Sequence, residues 1–317
     1  MTSTQLRPEQ LMRGEQQTVP RPRSGPWLWI MVGVACLALI GQSVFSPLQR
    51  ADAPIGGPLA VCFLVWQLLA TVFVFWHGGR RYGAGGIIAF FVVTFVISNI
   101  YENVSIATGF PFGHYHYTHD GAPFLLQVPI TIGIAYVNYG YLSWCVASAI
   151  LGRGDRLTRS WLGTVVQPAT AAFVMVMWDL VMDPINSTIG HTWIWHQGGG
   201  YNGVPLTNYL GWFLTVWTLY QVFALILHAR PGLIRPGEDA IGFRAMPVLL
   251  YGLTALTYIL GYALTKDASV TDAAGHAWSV SSIWESSVTV MLFTMLFASF
   301  LAAVSLLRER LAAEALR

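Results

Sequence analysis

Four acidic residues lie within or at the end of long apolar runs of the sequence: Glu102, Asp179, Asp183 and Glu285. An ionised carboxylate in the middle of a membrane helix costs about 2.5–3.5 kcal/mol on insertion scales. Acids in such positions usually face a cavity and serve a function. A carboxyl held in an apolar cavity can remain protonated near neutral pH and act as a general acid. These residues are therefore candidates for proton chemistry, although any one of them could simply end a helix near water.

Two of these acids are expected to act together. Asp179 and Asp183 are four residues apart in one apolar run, so a helix places them on the same face. All four acids fall in the same half of the predicted membrane helices, where few basic residues are available to pair with them.

The elements that position these acids are predicted to be membrane-spanning helices. The chain of 317 residues is 55% hydrophobic and only 10% charged, whereas soluble domains carry about 25% charged residues. A bilayer requires roughly 20 apolar residues per helix, and the backbone in lipid must satisfy its own hydrogen bonds. An all-α, polytopic transmembrane helix bundle with about eight spans is therefore expected. The predicted spans are Trp27–Val44, Gly57–Trp76, Gly83–Ile106, Val128–Leu151, Trp161–Met182, Leu206–Leu227, Ala245–Leu264 and Ser282–Leu307.

The loops between these runs alternate in charge. Fifteen of the seventeen basic residues lie on one side, and only Arg50 and Lys266 lie on the other. The positive-inside rule places both termini in the cytoplasm and the acids toward the non-cytoplasmic face of the cell membrane. Residues 1–25 are expected to form a disordered cytoplasmic tail, 26–307 the transmembrane domain and 308–317 a C-terminal cytoplasmic tail. A net charge of +2 gives no indication of nucleic-acid binding, and the oligomeric state is not predicted.

The outer loops hold six of the eight histidines, among them His114, His116 and His119. Imidazole is a common metal ligand, but this spacing matches no strong zinc or di-iron pattern. We therefore expect neither a metal nor another cofactor, and we expect His114 and His116 to line a path for substrate.

An internal repeat is a further possibility. At an offset of 77 residues, Glu102 aligns with Asp179, Gly113-His114 with Gly190-His191, and His119 with His196. If the repeat is real, two helix-loop-helix units face each other and both contribute to one site.

The sequence contains two dense motifs in which aromatic residues, glycines and acids lie close together. The first is Asn99-Ile100-Tyr101-Glu102 followed by Gly113-His114-Tyr115-His116-Tyr117. The second begins at Asp183-Pro184 and runs through Trp193-x-Trp195 and Gly200-Tyr201-Asn202-Gly203-Val204-Pro205 to Asn208 and Gly211-Trp212. These motifs resemble those of the integral-membrane carotenoid hydratase family, and the resemblance covers roughly residues 55–305. It implies a cofactor-independent hydro-lyase that adds water across a terminal C=C bond of an acyclic carotenoid embedded in the membrane.

The chemistry of such a reaction assigns hypothetical roles to the matching residues. Protonation of the alkene gives a tertiary carbocation, which water captures. We expect Asp183 or Glu102 to be the acid, and Asp179 with the other acid to orient and deprotonate the water. Aromatic faces would stabilise the cation, and an amide would hold the water. The expected substrate pocket comprises Tyr115, Tyr117, Trp193, Trp195, Tyr201, Asn208 and Trp212, with His114, His116 and Glu285 beside it.

Several alternatives remain open at this point. Intramembrane acids also mark proton-coupled transporters, and the outer histidines would suit a metal-dependent membrane hydroxylase or desaturase. A carotenoid-binding scaffold without chemistry is a weaker alternative. The aromatics could belong to an ordinary interfacial belt, and Asn208 could be a helix cap.

Overall fold

The computed structural model describes residues 26–45, 57–118, 123–235 and 240–315, and these residues are mostly helical. The expected N-terminal tail lies outside the described residues. A single π-helical turn, Ile185–Ile189, follows the fifth helix, and a 3-10 turn, Pro231–Leu233, follows the sixth. The helices are α1 (Pro26–Phe45), α2 (Gly57–Thr108), α3 (Ile130–Ile150), α4 (Gly154–Leu157), α5 (Trp161–Pro184), α6 (Leu206–Ala229), α7 (Ile241–Leu264), α8 (Val280–Phe293) and α9 (Met295–Ala315).

Within the described residues, five helical segments are long and apolar enough to cross a membrane. This agrees with the expected helical membrane bundle, whereas the number of eight spans and the orientation remain predictions. The segments are Val61–Thr108, Trp161–Ile189, Leu206–Ala229, Ile241–Leu264 and Val280–Ala315.

The long helix α2 contains two of the predicted spans. Its backbone leaves helical geometry at Gly83, where φ is 69° and ψ is 172°. This left-handed φ favours glycine, and a Cβ atom there would lie 2.9 Å from an Arg235 guanidinium nitrogen. The rings of Phe75 and Phe91, from either side of Gly83, lie 5.4 Å apart, so the two arms pack side by side. The chain therefore reverses at Gly83 and brings Glu102 back across the bundle.

The central helix is α3, which packs against α2, α5, α7 and α9. Most of its residues are buried, and these include polar ones: Asn138 hydrogen-bonds Gln67, and Trp66 donates to the Tyr139 hydroxyl at 3.1 Å. A helix enclosed by protein can carry tyrosines and an asparagine, since its neighbours satisfy their hydrogen bonds. This helix of 21 residues is not among the five segments above.

The loops between helices form short strands that the sequence patterns did not predict. The strands are β1 (Tyr115–Tyr117), β2 (Phe124–Leu125), β3 (Val128–Pro129), β4 (Trp193–Trp195), β5 (Ser269–Thr271) and β6 (Ala277–Ser279). β1 and β4 pair antiparallel, with Tyr115 opposite Trp195 and Tyr117 opposite Trp193. β2 pairs with β3, and β5 pairs with β6.

The basic loops meet at one end of the bundle. Arg81 forms a buried, two-pronged ion pair with Asp155, and its backbone carbonyl accepts a hydrogen bond from the amide of Arg235 at 2.9 Å. Arg244 and Arg153 both bind Glu309, at 2.6 and 3.2 Å. The loops assigned to the cytoplasmic side from charge alone are thus neighbours in space.

Candidate active site

Glu102 lies near the end of α2 and is 3% exposed. Three tyrosine hydroxyls donate hydrogen bonds to its carboxyl: Tyr115, Tyr117 at 3.0 Å and Tyr136 at 2.7 Å. A carboxyl group that accepts every one of its hydrogen bonds is suited to the ionised form. We call these three residues the tyrosine cage.

The two cage residues on β1 remain donors over the whole physiological range of pH. Burial, together with the neighbouring Glu102 carboxyl, raises the pKa of Tyr115 and of Tyr117 well above the ordinary value of 10.0. Both phenols are therefore protonated and continue to donate to Glu102.

Asp179 and Asp183 form a second acidic group at the end of α5. The side-chain amide nitrogen of Asn208 donates to Asp179 Oδ2 at 3.0 Å and to Asp183 Oδ2 at 2.6 Å. The other Asp183 oxygen accepts from the Trp193 indole nitrogen at 2.8 Å. Asp179, Asp183 and Asn208 are buried. Two ionised carboxylates bound to one nitrogen repel each other in an apolar interior, so this pair is suited to sharing one proton.

The two acidic groups flank a cavity of about 40 Å³. That volume is enough for water, but an isoprenoid end group requires the surrounding side chains to move. The cavity is lined by residues of α2, α3, α5, α6, β1, β4 and the turn before β1, namely Glu102, Phe112, Tyr115, Tyr117, Ile132, Ala135, Tyr136, Trp178, Met182, Asp183, Trp193, Trp195, Asn208 and Trp212.

The lining favours positive charge. It contains two carboxyl groups and many aromatic rings, and among the described lining residues there is no lysine, arginine or histidine. Tyr136 and Trp212 stack face to face, with ring centroids 4.4 Å apart, and Trp178 packs edge-on against Trp212 at 6.0 Å. Aromatic faces and carboxylates both attract a cation, and they do so more strongly where water is excluded.

Several buried polar atoms around the cavity have capacity for a further ligand. Asp179 Oδ1 and the Tyr209 hydroxyl have no hydrogen-bond partner in the described part of the chain. The Trp195 indole N–H lies near Asp183 but does not form a well-aligned hydrogen bond to it. Buried polar groups are nearly always paired with protein or with ordered water. These atoms therefore mark positions where water or a substrate group can bind.

Most of the residues singled out in the sequence meet at this cavity. Asp179 does not line it directly but joins it through Asn208. Those that line it are Glu102, Tyr115, Tyr117, Asp183, Trp193, Trp195, Asn208 and Trp212. Their participation in a reaction remains a prediction.

Four expected substrate contacts are not brought to the cavity. His114 and His116 are exposed. Alternation along β1 turns Tyr115 and Tyr117 inward and His116 outward, and His114 precedes the strand. Glu285 is exposed on α8, and Tyr201 packs behind Tyr209 with ring centroids 5.7 Å apart. The geometry gives these residues no contact with a ligand in the cavity.

Several lining residues were not identified in the sequence, above all Tyr136. It supplies the third hydroxyl of the tyrosine cage, yet it is one of several tyrosines in α3, and the chain sequence does not distinguish it from Tyr139 or Tyr141. The others are Phe112, Ile132, Ala135, Trp178 and Met182.

No group of three or more His, Cys, Asp or Glu side chains comes together as a metal site among the described residues. His119 lies outside them, so the His114/His116/His119 arrangement is not described. His116 Nδ1 instead lies 2.8 Å from His196 Nε2, across the β1–β4 ribbon.

The possible internal repeat remains a prediction, and its two segments lie next to each other. The segments after Glu102 and after Asp179 supply β1 and β4, which pair with each other. The acid of each segment then lies at the same site. The aligned His119 lies outside the described residues.

The fold and site together define a multi-pass helical protein with a buried, acidic and aromatic cavity. Residues 62–271, about two thirds of the chain, match the family model described as "Carotenoid biosynthesis protein". The chain therefore belongs to the carotenoid biosynthesis protein family, and the resemblance seen in its motifs is confirmed.

One curated relative is the bisanhydrobacterioruberin hydratase of Haloarcula japonica. It is 35% identical over 115 residues, which span 36% of this chain and 36% of the relative. The aligned part is thus about a third of the length of the relative. No solved structure matches this chain.

Proposed function

We propose that this protein is a carotenoid hydratase, which adds water across a terminal C=C bond of an acyclic carotenoid to give a tertiary alcohol. Membership of the carotenoid biosynthesis family and the name of the relative support the substrate class. One structural observation carries the proposal. Glu102 and Asp183, from two different helices, meet at one aromatic cavity in which no basic residue is described.

The proton comes from the pair formed by Asp179 and Asp183. Asp183 lines the cavity, whereas Asp179 lies behind it, so Asp183 is the member that can reach the alkene. In the reactive state the pair holds one proton, placed on Asp183. Transfer of that proton to the CH carbon of the terminal double bond breaks the π bond and leaves a tertiary cation on the dimethyl-substituted carbon.

The cavity lining stabilises this cation. The rings of Tyr136, Trp178 and Trp212 provide π faces, and such an interaction is worth about 2 kcal/mol or more when desolvated. Glu102, held as a carboxylate by the tyrosine cage, supplies a fixed negative charge. Because that charge is in place before the reaction, it need not reorganise as the cation forms.

Water then captures the cation and forms the C–O bond. The resulting oxonium ion loses a proton to Asp183, the member of the pair that lines the cavity, while Asp179 behind it remains a carboxylate. The pair ends with one proton, as it began, and the sum of the steps is addition of one water. Asn208, which bonds both acids, keeps them in position for the return of the proton to Asp183.

The substrate is proposed to enter from the bilayer. Ile132 and Ala135 of α3 line the cavity and are only half-buried, so this wall is thin. The charge pattern supports a site facing the non-cytoplasmic side of a cell membrane, with both termini inside. A carotenoid end held at that interface meets water there, and the steps above need no further cofactor.

Expression of the chain in a host that accumulates an acyclic carotenoid tests this function. We expect pigments whose mass has increased by one water for each end that has reacted. Incubation of membranes in ¹⁸O-labelled water should place the label in the new hydroxyl. Label that arrives from ¹⁸O₂ instead would favour a hydroxylase, and unmodified pigment with a range of acyclic substrates would oppose the proposal.

A further inference from the structure

A second cavity, about 150 Å³ in volume, lies beside the first. We call it the outer vestibule. It is formed by the π-helical turn after α5, the strand β4 and the hairpin of β5 and β6. Its lining comprises Ser187, Thr188, His191, Ile194, Trp195, Gly203, Thr271, Asp272 and Ala273.

The outer vestibule is chemically unlike the reaction cavity. Five of its nine lining residues have polar side chains (Ser187, Thr188, His191, Thr271 and Asp272), whereas aromatic rings dominate the lining of the reaction cavity. A site needs roughly 10–15 Å³ and two to four polar partners to hold one water molecule. The outer vestibule meets both conditions for several water molecules.

Trp195 lines both cavities. Its side chain is 6% exposed, and its ring lies 4.8 Å from the ring of Tyr115 in the tyrosine cage. Its indole N–H, near Asp183, has no well-aligned acceptor among the described residues. A single side chain therefore separates a polar space from the acids, and it carries a donor able to bind water at that boundary.

The wall around Trp195 is fixed in place. Ser187 donates to the backbone carbonyl of Asp183 at 2.8 Å, and Thr188 donates to that of Asn202 at 2.6 Å. Gly203 has a left-handed φ of 87°, and a Cβ atom there would approach the Thr188 hydroxyl to 2.5 Å. The polar wall is thus tied directly to the segment that carries the proton donor.

We propose that the outer vestibule supplies the water that captures the carbocation, and that Trp195 is the positioning residue that controls its delivery. This inference rests on the proposed hydratase function. Water that arrives before protonation would solvate the acids and weaken Asp183 as a donor. Without water the cation can only lose a proton and become an alkene again. Delivery from a separate space through one side chain reconciles these two requirements.

A blocked water supply and a damaged active site both lower alcohol formation, but they differ in their effect on hydrogen exchange at the alkene. Protonation followed by loss of a proton exchanges hydrogen at the alkene carbon, and it consumes no water. In D₂O this exchange appears as deuterium in the recovered carotenoid, while hydration appears as the alcohol. Blocking the water supply should lower the yield of alcohol and leave the deuterium exchange unchanged.

The test uses membranes that contain the full chain, an acyclic carotenoid and D₂O. Ala273→Phe fills the outer vestibule from an exposed position, and Ala274→Phe, on the adjacent exposed residue outside the lining, is the matched control. We expect a severalfold fall in alcohol for Ala273→Phe, with undiminished deuterium in the alkene, and no change for Ala274→Phe. Trp195→Phe, which retains a ring but loses the N–H, should shift the ratio in the same direction.

Two results would overturn the inference. One is alcohol formation at the wild-type rate in both Ala273→Phe and Trp195→Phe. The other is a parallel fall of alcohol and deuterium exchange, since that indicates structural damage rather than loss of water. If the wild-type protein forms no alcohol, the proposed function itself fails, and this outcome is distinct from either of the two.

Discussion

Tyr117 and Trp193 face each other across the antiparallel β1–β4 ribbon, with ring centroids 5.9 Å apart, and each donates a hydrogen bond to a different buried carboxyl. Tyr117 donates to Glu102 at 3.0 Å, and Trp193 donates to Asp183 at 2.8 Å. One cross-strand pair therefore sets the relative position of two acids carried by two helices. The strands fix a geometry that the helices alone would not.

Asp183→Asn should abolish formation of the alcohol. The amide keeps the shape of the side chain but cannot donate a proton to an alkene, and general acid catalysis typically contributes about 10²–10⁴-fold to the rate. Pigment analysis in the acyclic-carotenoid host measures this effect.

Glu285→Gln is the matched comparison for that variant. Glu285 is exposed and lies away from the cavity, so its neutralisation should leave the product yield unchanged. Equal losses in the two variants would contradict the site described here, as would a fully active Asp183→Asn.

Removal of one hydroxyl from the tyrosine cage should slow the reaction without unfolding the protein. Tyr136→Phe and Tyr117→Phe each remove one donor from Glu102 and leave the ring in place. A hydrogen bond to a charged group is worth about 1.5–3 kcal/mol, which corresponds to roughly a 10- to 150-fold fall in rate if the carboxylate stabilises the cation. Initial rates in membranes measure this effect.

Tyr262→Phe is the control for the cage, because Tyr262 is exposed on α7. Its rate should equal that of the wild type. If Tyr136→Phe catalyses the reaction as fast as Tyr262→Phe does, the role of Glu102 does not depend on the tyrosine cage.

The sequence was sufficient to identify both acidic groups but not their surroundings. Acids in apolar helices are conspicuous, since their burial has an energetic cost, and the separation of Asp179 and Asp183 by one helical turn indicates a pair directly. Tyr136 is not conspicuous in this way, because tyrosine is tolerated at many positions of a helix. Its role arises only where α3 packs against α2, which is a tertiary relationship.

The predicted pocket and the cavity of the structure differ mainly in the loops. His114 and His116 were grouped with Tyr115 and Tyr117 because all four are close in sequence. In a strand, successive side chains point to opposite faces, so the alternation that turns the tyrosines inward places His116 outside. A strand of three residues has no sequence signature that distinguishes it from a loop. Whether Glu285 lines the cavity depends on which face of α8 packs inward, and the sequence does not show this either.

Loss of one partner of the Arg81–Asp155 ion pair should strongly destabilise the fold. Both residues are buried, at 4% and 0% exposure, and Tyr82 and Ser148 also donate to the carboxylate. Arg81→Met leaves a buried charge unpaired, which costs about 3–5 kcal/mol. Thermal unfolding in detergent measures the loss.

The double variant Arg81→Met/Asp155→Leu removes both charges of that pair. It should recover much of the stability lost by Arg81→Met, since no unpaired charge remains. A double variant less stable than the single one would contradict the assignment of the penalty to the unpaired carboxylate.

The β5–β6 hairpin should loosen in acid. Partial burial disfavours the charged form of Asp272, but hydrogen bonds from Trp278 and His276 outweigh it and hold its pKa below the ordinary value of 3.8. A carboxyl whose pKa is depressed on folding contributes stability that is fully present above pH 3.8 and is lost as the pH falls through the lower value. Protection of the hairpin amides from hydrogen exchange, corrected for the intrinsic pH dependence of exchange, should therefore fall only below about pH 3.8. Asp272→Asn should remove this dependence on pH, whereas Asp267→Asn, on an exposed residue before the hairpin, should retain it.

The orientation inferred from the basic loops can be tested with single cysteines on either side. Cys36, Cys62 and Cys145 are first replaced by alanine, and a cysteine is then introduced at Ala274 in the β5–β6 hairpin or at Gly232 in the turn after α6. Ala274 is exposed, and a Cβ atom at Gly232 meets no described residue within 4 Å, so both sites accept a thiol. A membrane-impermeant maleimide on intact cells should label position 274 and should label position 232 only after permeabilisation. The β5–β6 hairpin lines the outer vestibule, and the turn after α6 belongs to the basic loops at the other end of the bundle. Labelling in the reverse order would place the reaction on the cytoplasmic side, and labelling of both positions in intact cells would contradict a membrane-spanning α7.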